Sequence, residues 1–586
     1  MSEYRPPVDE MLYVLDSLAG FERVARLPGC EEVSRDLARA VMDEAGELAS
    51  NVLAPLNVTG DQSGTAVHNG QVQVPDSFRE AYQAFVEGGW GGISAPETYG
   101  GQDLPQLISM PVQEMWQSAN LAWSLCPLLS QGALHALELY ANEDLRGQYL
   151  PRLVSGEWTG TMNLTEPQAG SDLGLVRCQA RPENGHYVIN GQKIFITFGD
   201  HDMAGNILHL VLARLPDAPQ GTRGLSLFLV PKLIPDENGD PDQPNNVRAV
   251  SVEHKLGLHA SPTCVMSYED AVGYLVGQEN QGLPHMFAMM NDARVSVGLQ
   301  GVAIAERSYQ QAVEYARNRM QGKAPGSAGT VSILRHPDVR RMLMEMKSQI
   351  FAMRSLCYMA ALHQDFARRH PDEERRAFHQ RRLDLLTPVV KGWICEVAIE
   401  LTSIGIQVHG GMGYVEETGA AQHYRDARII TIYEGTSGIQ ASDLVGRKII
   451  RDKGRALGEL LEDIGETASL ADALPAGDRI VAEALREGLN ETATSLEWFR
   501  NQLGADADLP GSVAFNLMMM LGYLCGGWLH ARSALAAAGG ADEQAMQARR
   551  VCARFYAEQF MPQVTARARR VRAGAANTMA LSDEQF

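Results

Sequence analysis

The sequence predicts an α+β protein, helical toward both ends with a compact β-domain between. Three observations predict this. Apolar residues recur at helical spacing before about residue 157 and again after Gly282. From about 158 to 280 the texture changes to short β-branched and apolar runs punctuated by Asn-Gly pairs. A chain of 586 residues is too long for one core, so roughly three or four domains are expected.

The elements follow in order. In 31–56, Val33, Leu37, Val41 and Ala45 mark one helix face, and Pro55 ends it. Gly88-Gly89-Trp90-Gly91-Gly92, followed by Ser94-Ala95-Pro96, reads as a loop for close backbone packing. Strands are expected at 187–190 and 193–197, each after an Asn-Gly hairpin signal (Asn184-Gly185 and Asn190-Gly191), then at 207–215, 224–230, 247–252 and 263–268. They should form an antiparallel or barrel-like domain. Long helices are expected at 292–319, 336–368 and 381–408, with 322–329 as a mobile loop. Beyond 450 the segments 457–470 and 480–503 look amphipathic, and Leu517, Met518, Leu521, Leu524 and Leu529 mark a broadly apolar helix. The expected domains are 1–157, helical; 158–280, β; 281–450, a helical bundle; and 451–586, a further helical domain.

Composition excludes several classes. A net charge of −20 argues against general nucleic-acid binding, and requires that an anionic ligand find a local basic patch. The eight cysteines are scattered singly, so neither a zinc site nor a disulfide framework is expected, and no metal. The start, Met-Ser-Glu-Tyr-Arg-Pro-Pro, lacks a basic region followed by an apolar core, so no signal peptide is expected and the location is read as cytoplasmic. The apolar stretch 513–529 is interrupted by Asn516 and reads as a buried helix rather than a membrane contact. Neither GxGxxG nor GxxxxGK[ST] occurs, so a Rossmann-type nucleotide site is not expected.

The most informative stretch is Ile432-Tyr433-Glu434-Gly435-Thr436-Ser437-Gly438. It places a carboxylate after two apolar side chains and before a turn. A carboxylate held against apolar groups is destabilised when charged and becomes usable as a general base near neutral pH. Gly435 admits close backbone approach, and Thr436 or Ser437 suits the cap of a following helix. A plain capping carboxylate fits the same residues. Thr165-Glu166-Pro167-Gln168-Ala169-Gly170-Ser171-Asp172 closes a strand with small and hydroxyl residues, suited to a ring edge or a diphosphate but also to any polar turn. Gln407-Val408-His409-Gly410-Gly411-Met412-Gly413 ends a helix in glycines, where backbone can approach a phosphate or where a simple C-cap suffices.

Taken together, and in their order along the chain, these segments resemble the acyl-CoA dehydrogenase family over roughly residues 75 to 450. The resemblance implies that family's fold: an N-terminal helical domain, a middle β-barrel-like domain and a four-helix bundle. It also implies FAD as cofactor. Met162, Leu164, Thr165 and Ser171 correspond to a flavin-contacting loop, with Ser171 also facing substrate. Phe195, Ile196 and Thr197 correspond to the next flavin segment, where Phe195 replaces the usual Trp and loses its N–H donor. Asn291-Asp292-Ala293-Arg294 resembles the substrate-side segment, giving Asn291 and Arg294 as substrate residues together with Gly435. Within Tyr315-Ala316-Arg317-Asn318-Arg319-Met320-Gln321-Gly322, Arg319 corresponds to a residue that reaches the diphosphate of a neighbouring subunit's FAD. Gln407, Val408, Gly410 and Gly411 correspond to the holder of that cofactor's adenosine half, and Thr436 is a further cofactor residue. Glu434 corresponds to the base that takes the α-proton while hydride passes to the flavin.

His336-Pro337-Asp338-Val339-Arg340-Arg341 resembles a longer subgroup in which an appended helical domain covers one face of the bundle. The partners implied are an acyl-CoA, an electron-transfer flavoprotein and a second copy in a homodimer. An acyl-CoA oxidase fits the same residues. So does a DNA-associated flavoprotein of the superfamily, given the basic series Arg549, Arg550, Arg554, Arg567, Arg569, Arg570 and Arg572.

Overall fold

The change of texture near residue 158 is a change from helix to sheet. The computed structural model describes residues 3–68, 70–538 and 543–586. They fall into two compact units, one made of Glu44–Pro105 and Met115–Ser296, the other of the residues up to Asp43, Gln106–Glu114 and Val297–Phe586.

The first unit holds a seven-stranded sheet. Thr263–Val276, His186–Thr197, Gln179–Glu183, Asn206–Arg214 and Leu225–Pro231 pair in turn, and the last pairs back to the first. That ring is the expected barrel. It is not wholly antiparallel, because Asn206–Arg214 runs parallel to Trp158–Asn163 and, at Gln179↔Arg214, to Gln179–Glu183. Asn206–Arg214 and Leu225–Pro231 are buried almost throughout, which explains their unbroken apolar sequences. Helix Leu121–Tyr140 lies on Trp158–Asn163, where Gly160 is needed because a Cβ would meet that of Ala133 at 2.5 Å.

The two Asn-Gly signals part ways. Asn184 and Gly185, with φ of 45° and 87°, make the two-residue turn between paired Glu183 and His186. Asn190-Gly191 makes no hairpin, and the strand His186–Thr197 runs straight through it. Gly191 serves a close approach instead, since a Cβ there would lie 2.9 Å from the Cα of Cys178. Further along the same strand, Cys264 pairs with Ile196 and Met266 with Lys193, so two steps oppose three. The extra residue makes a β-bulge, and Phe195 within it has φ 58°.

In the second unit helix Glu373–His409 packs on Pro337–Arg369 and on Ser437–Asp443, and its Val390 and Ile394 fit against Gly298 and Gly301 in the later part of Gly282–Asn318. The long helix begins at Gly282, ten residues before the expected start at Asp292. Pro284 in its first turn is compatible with helix, because the first N–H groups have no intrahelical acceptor. The expected mobile loop 322–329 is closed at its base: the Gln321 N–H donates to Val331 O at 2.9 Å and the Val331 N–H to Gly322 O at 3.0 Å.

Residues beyond 450 belong to this same unit. Helix Leu509–Ala537 is long and apolar enough to cross a membrane, yet 83% of its most apolar window is buried within the protein. It packs on Glu373–His409 and Pro337–Arg369, with Gly392 against Met518 and Gly522 against Trp393. At the core of the unit Arg354, fully buried, donates to Glu114 Oε1 at 2.6 Å, Glu10 Oε1 at 2.8 Å and Glu306 Oε2 at 2.9 Å.

Burial keeps several histidines neutral. His201, His209 and His423 are pushed down to about 3 and His379 and His530 to about 4, while His363 is held well below its ordinary value. A free histidine titrates near 6.5, so below that pH the unfolded chain binds more protons than the folded one. Each such group's contribution is complete above pH 6.5 and lost as pH falls toward its folded value, at about 1.4 kcal/mol per pH unit. Asp365, raised by burial to about 7, acts in the opposite direction and offsets one of them. Denaturant midpoints are therefore expected to fall clearly between pH 7.5 and 5.5. Equal midpoints at the two pH values would show that these rings are not buried in neutral form.

Candidate active site

Glu434 lies on the turn between the 3-10 stretch Arg428–Thr431 and helix Ser437–Asp443. Its backbone is left-handed at φ 56°, and Gly435 follows at 90°. For a residue with a Cβ this costs about 1–2 kcal/mol, so the surroundings must hold it. They do. Lys391, with no exposed surface, donates from Nζ to the Gly435 carbonyl at 2.7 Å. Gln440 Nε2 donates to the Glu434 carbonyl at 3.2 Å and to that of Gly435 at 3.5 Å. The Thr436 hydroxyl accepts from the Ile439 N–H at 3.2 Å, which is the expected cap. The Tyr433 hydroxyl donates to Gln300 Oε1. Glycine is favoured at 435 because its φ of 90° strains any residue with a Cβ, which would also crowd Gln440 Nε2 at 2.8 Å. The Glu434 side chain is half-buried, and nearby Gln300 Nε2, Gln440 Oε1 and Ser437 Oγ are buried without a hydrogen-bond partner among the described residues.

The other candidates of this unit gather elsewhere in it. Gln407 is sixteen residues beyond Lys391 on one helix, a distance of roughly 24 Å at 1.5 Å per residue. The end of that helix meets the end of Gly282–Asn318, where the His409 and Tyr315 rings stand 4.5 Å apart. Arg319, exposed just past the latter helix, thus shares a region with Gln407, Gly410 and Gly411, all exposed. A Cβ on Gly410 or Gly411 would meet nothing within 4 Å. Val408 is buried and offers no side chain there. Exposed apolar residues flank the spot, with Met320, Met412 and Tyr414 at 53%, 49% and 88%.

In the first unit the expected flavin residues form one surface. The Ile194 N–H donates to Thr165 O at 2.9 Å, and the Thr161 hydroxyl donates to Thr197 O at 2.7 Å, which joins the Thr165 loop to the Phe195 strand. The bulge holds the Phe195 ring 59% exposed, with Met162, Thr165 and Thr197 half-buried. Leu164 and Ile196 are buried, so only their backbones reach this surface, and Ser171 is exposed at the loop's end.

Sequence reasoning missed what fixes this loop. Buried Lys193 donates to Glu166 Oε1 at 2.8 Å and to Leu164 O at 3.0 Å, while the Arg177 and Cys178 N–H groups donate to the same carboxylate at 2.7 and 3.0 Å. Burial opposes the charge on Glu166, but Lys193 and the two N–H donors outweigh it and hold its pKa below the ordinary carboxylate value. The signal was a lysine in an otherwise apolar strand end, as it was for Lys391 in the apolar run 385–394.

The substrate-side pair differs from expectation in setting. Asp292 does not start a helix; it lies inside one, hydrogen-bonded to His135. Arg294 is 5% exposed, stacks its guanidinium over the Phe287 ring at 5.8 Å and donates to Asn291 Oδ1 at 3.5 Å. Asn291 itself is exposed.

Known proteins share these features. The chain matches the acyl-CoA dehydrogenase N-terminal domain over residues 36–157, the middle domain over 161–271 and the C-terminal domain over 280–449. Residues 460–582 match the acetyl-CoA dehydrogenase C-terminal-like domain. It is 46% identical over 577 residues, 97% of this chain and 98% of the relative, to 3-methylmercaptopropionyl-CoA dehydrogenase of Ruegeria pomeroyi. It is 34% identical to the broad-specificity linear acyl-CoA dehydrogenase FadE5 of Mycobacterium tuberculosis, covering 96% of this chain and 97% of that one. Among solved structures, Caenorhabditis elegans ACDH-11 in complex with C11-CoA shares the fold at TM-score 0.75 and 21% identity, covering 96% of this chain and 93% of that one. A chain of a solved structure described as the electron transferring flavoprotein of Acidaminococcus fermentans has TM-score 0.59 and 27% identity, covering 71% of this chain and 98% of that one. This chain belongs to the acyl-CoA dehydrogenase family, whose members are FAD-dependent flavoprotein oxidoreductases.

Proposed function

We propose that the chain dehydrogenates an acyl-CoA thioester to its 2-enoyl-CoA, with Glu434 as the base that removes the α-proton and an electron-transfer flavoprotein as the onward acceptor. The observation that carries this is the left-handed Glu434-Gly435 turn, tied by Lys391 and Gln440 so that a half-buried carboxylate is held in one direction. Backbone strain of this kind persists where surrounding structure over-determines it, as at reactive groups.

The residues present fit FAD. The bulge at Phe195 presents an aromatic face beside the Thr165 and Thr197 hydroxyls, and Gly410-Gly411 leaves open backbone beside the exposed Arg319. Met162, Leu164, Thr165, Ser171, Phe195, Ile196 and Thr197 would hold the flavin end. Arg319, Gln407, Val408, Gly410 and Gly411 would hold the adenosine end from a second copy in a homodimer. FAD, when bound, supplies the hydride acceptor. The chain's part is the proton: Glu434 receives it from the α-carbon, and donors that include the Glu434 N–H stabilise charge growing on the thioester oxygen. The family resemblance carries over Ser171, Asn291 and Arg294 in the first unit, and Gly435 in the second, as substrate residues.

The 3-methylmercaptopropionyl-CoA relative supports a short acyl chain, a thioether one included. The DNA reading loses its footing, because most of the basic series is engaged. Arg554 and Arg550 pair with Asp478, Arg572 with Glu491 at 2.8 Å, Arg567 with Asn516 at 3.0 Å, and Arg549 lies 3.3 Å over the Tyr13 ring.

The purified protein is expected to be yellow, to lose thermal stability when stripped of FAD and to regain it on reconstitution. Turnover across a panel of CoA esters that includes 3-methylthiopropanoyl-CoA should show the preferred chain. A colourless protein that gains no stability from FAD would end this reading. Fast reoxidation of the substrate-reduced enzyme by air, without help from an electron-transfer flavoprotein, would convert it to an oxidase.

A further inference from the structure

We propose that Lys391 and Gln440 are positioning residues of the reaction, a two-donor clamp on the Glu434-Gly435 backbone that aims the carboxylate at the α-carbon. The inference rests on the reading of Glu434 as the base.

Two successive carbonyls of this turn are tied, those of Glu434 and Gly435, and both residues are left-handed. Flipping the Glu434-Gly435 peptide would carry the Glu434 carbonyl away from Gln440, and turning the next peptide would carry the Gly435 carbonyl away from Lys391. The direction of the Glu434 side chain is therefore set by two donors that stand outside the turn's own local geometry.

Both donors are fixed in turn. Lys391 lies within helix Glu373–His409, where the neighbouring Val390 packs on Gly298 so closely that a Cβ there would sit 2.4 Å from Val390 Cγ1. On its other side Gly392 packs on Met518 with equally little room. Gln440 is fully buried one turn into helix Ser437–Asp443. A buried ammonium on a carbonyl is a charge-assisted bond, stronger than the neutral amide bond beside it. Losing it leaves the Gly435 carbonyl without that donor in a low-dielectric setting, and the turn is then free to relax toward a right-handed backbone. A reacting group displaced by about 1 Å costs about 10²-fold in rate, whereas binding of the remote ends of the ligands is unaffected.

The test uses the full-length holoenzyme with Lys391→Met and Gln440→Leu, each of which removes a donor and keeps the volume. FAD content, melting temperature and butanoyl-CoA binding are measured beside kcat and KM. The further readout is exchange of the butanoyl-CoA α-hydrogen with D2O, without an added electron acceptor. In that exchange the α-C–H bond breaks, the base takes the proton, trades it for a deuteron of the solvent and returns the deuteron to the α-carbon, so the reading reports proton transfer at the α-carbon apart from onward electron transfer.

Exchange and kcat are expected to fall together by about 10–100-fold, with FAD content, melting temperature and butanoyl-CoA binding kept. If both variants keep exchange within twofold of the parent, or lose it only in proportion to lost FAD, the clamp is wrong. Should Lys391→Met fail to fold, Gln440→Leu decides by the same criteria. Glu434→Gln run in parallel separates the two ideas. Exchange surviving there removes the base assignment and the clamp with it, while exchange lost there but intact in both clamp variants removes the clamp alone.

Discussion

Glu434→Gln is expected to lower turnover by at least ~10²–10⁴-fold, the usual worth of a positioned acid–base group, while FAD content and acyl-CoA affinity stay near those of the parent. The substitution is aimed at the base because the donors and cap described around the turn are bonded to atoms other than the Glu434 carboxylate. Lys391 and Gln440 hold the Gly435 and Glu434 carbonyls, and the Thr436 hydroxyl caps the following helix. An amide at position 434 keeps the length and planarity of the carboxylate and adopts the same φ of 56° with similar strain. What it lacks is an oxygen able to take a proton from carbon. Glu434→Asp gives the complementary result: it keeps the base but draws it back by one methylene, so a smaller loss is expected, on the scale of misplacement rather than absence. Near-normal turnover in Glu434→Gln would move the base to another residue.

The parts of the site that sequence made visible are those in which the signal is local. Glu434, Gly435 and Thr436 are adjacent, and turn and cap chemistry could be read from a few residues. The Asn184-Gly185 hairpin was legible for the same reason. Asn190-Gly191 carries an identical dipeptide, yet the strand continues through it, and its glycine answers to Cys178, just ahead of the paired strand Gln179–Glu183, which crowds the place where a side chain would stand. A dipeptide cannot report a neighbour. Lys193 with Glu166 and Lys391 with Gly435 join residues 27 and 44 positions apart, and Arg354 joins partners 48, 240 and 344 positions away. Such buried charges are placed by tertiary packing alone. The sequence shows each only as an odd charge in an apolar run, without its partner. The start of the long helix was missed by the opposite error. An acidic residue such as Asp292 suits a first turn and so marks a start in the sequence, whereas Pro284 near the true start is merely compatible with one.

Ending the chain near Lys453 is expected to produce protein that aggregates or changes oligomeric state, and that loses activity even where some of it stays in solution. The appended segment is not a domain on a linker, since residues beyond 450 share one compact unit with the bundle. Helix Leu509–Ala537 lies against Glu373–His409, and its glycines are sites of contact: a Cβ on Gly522 would overlap Trp393, and Met518 fills the space left by Gly392. His530 Nε2 lies 2.9 Å from Ser348 O, and Arg532 donates to Leu18 O at 2.7 Å, so the helix also ties in the N-terminal segment. Its removal bares a face that includes Trp393, Phe351 and Ala352, all now buried, and a contiguous apolar patch of that kind drives association. The loss of activity follows from a second contact. The same helix packs on Ser437–Asp443, whose first turn carries the Thr436 cap and Gln440. Without it the helix that anchors the Glu434 turn loses one side of its support, and the carboxylate is no longer held to the tolerance the reaction needs. Light scattering and turnover of the shortened protein decide the point. A well-behaved dimer with parental kcat would show that the appended helices neither cover the bundle nor brace the turn.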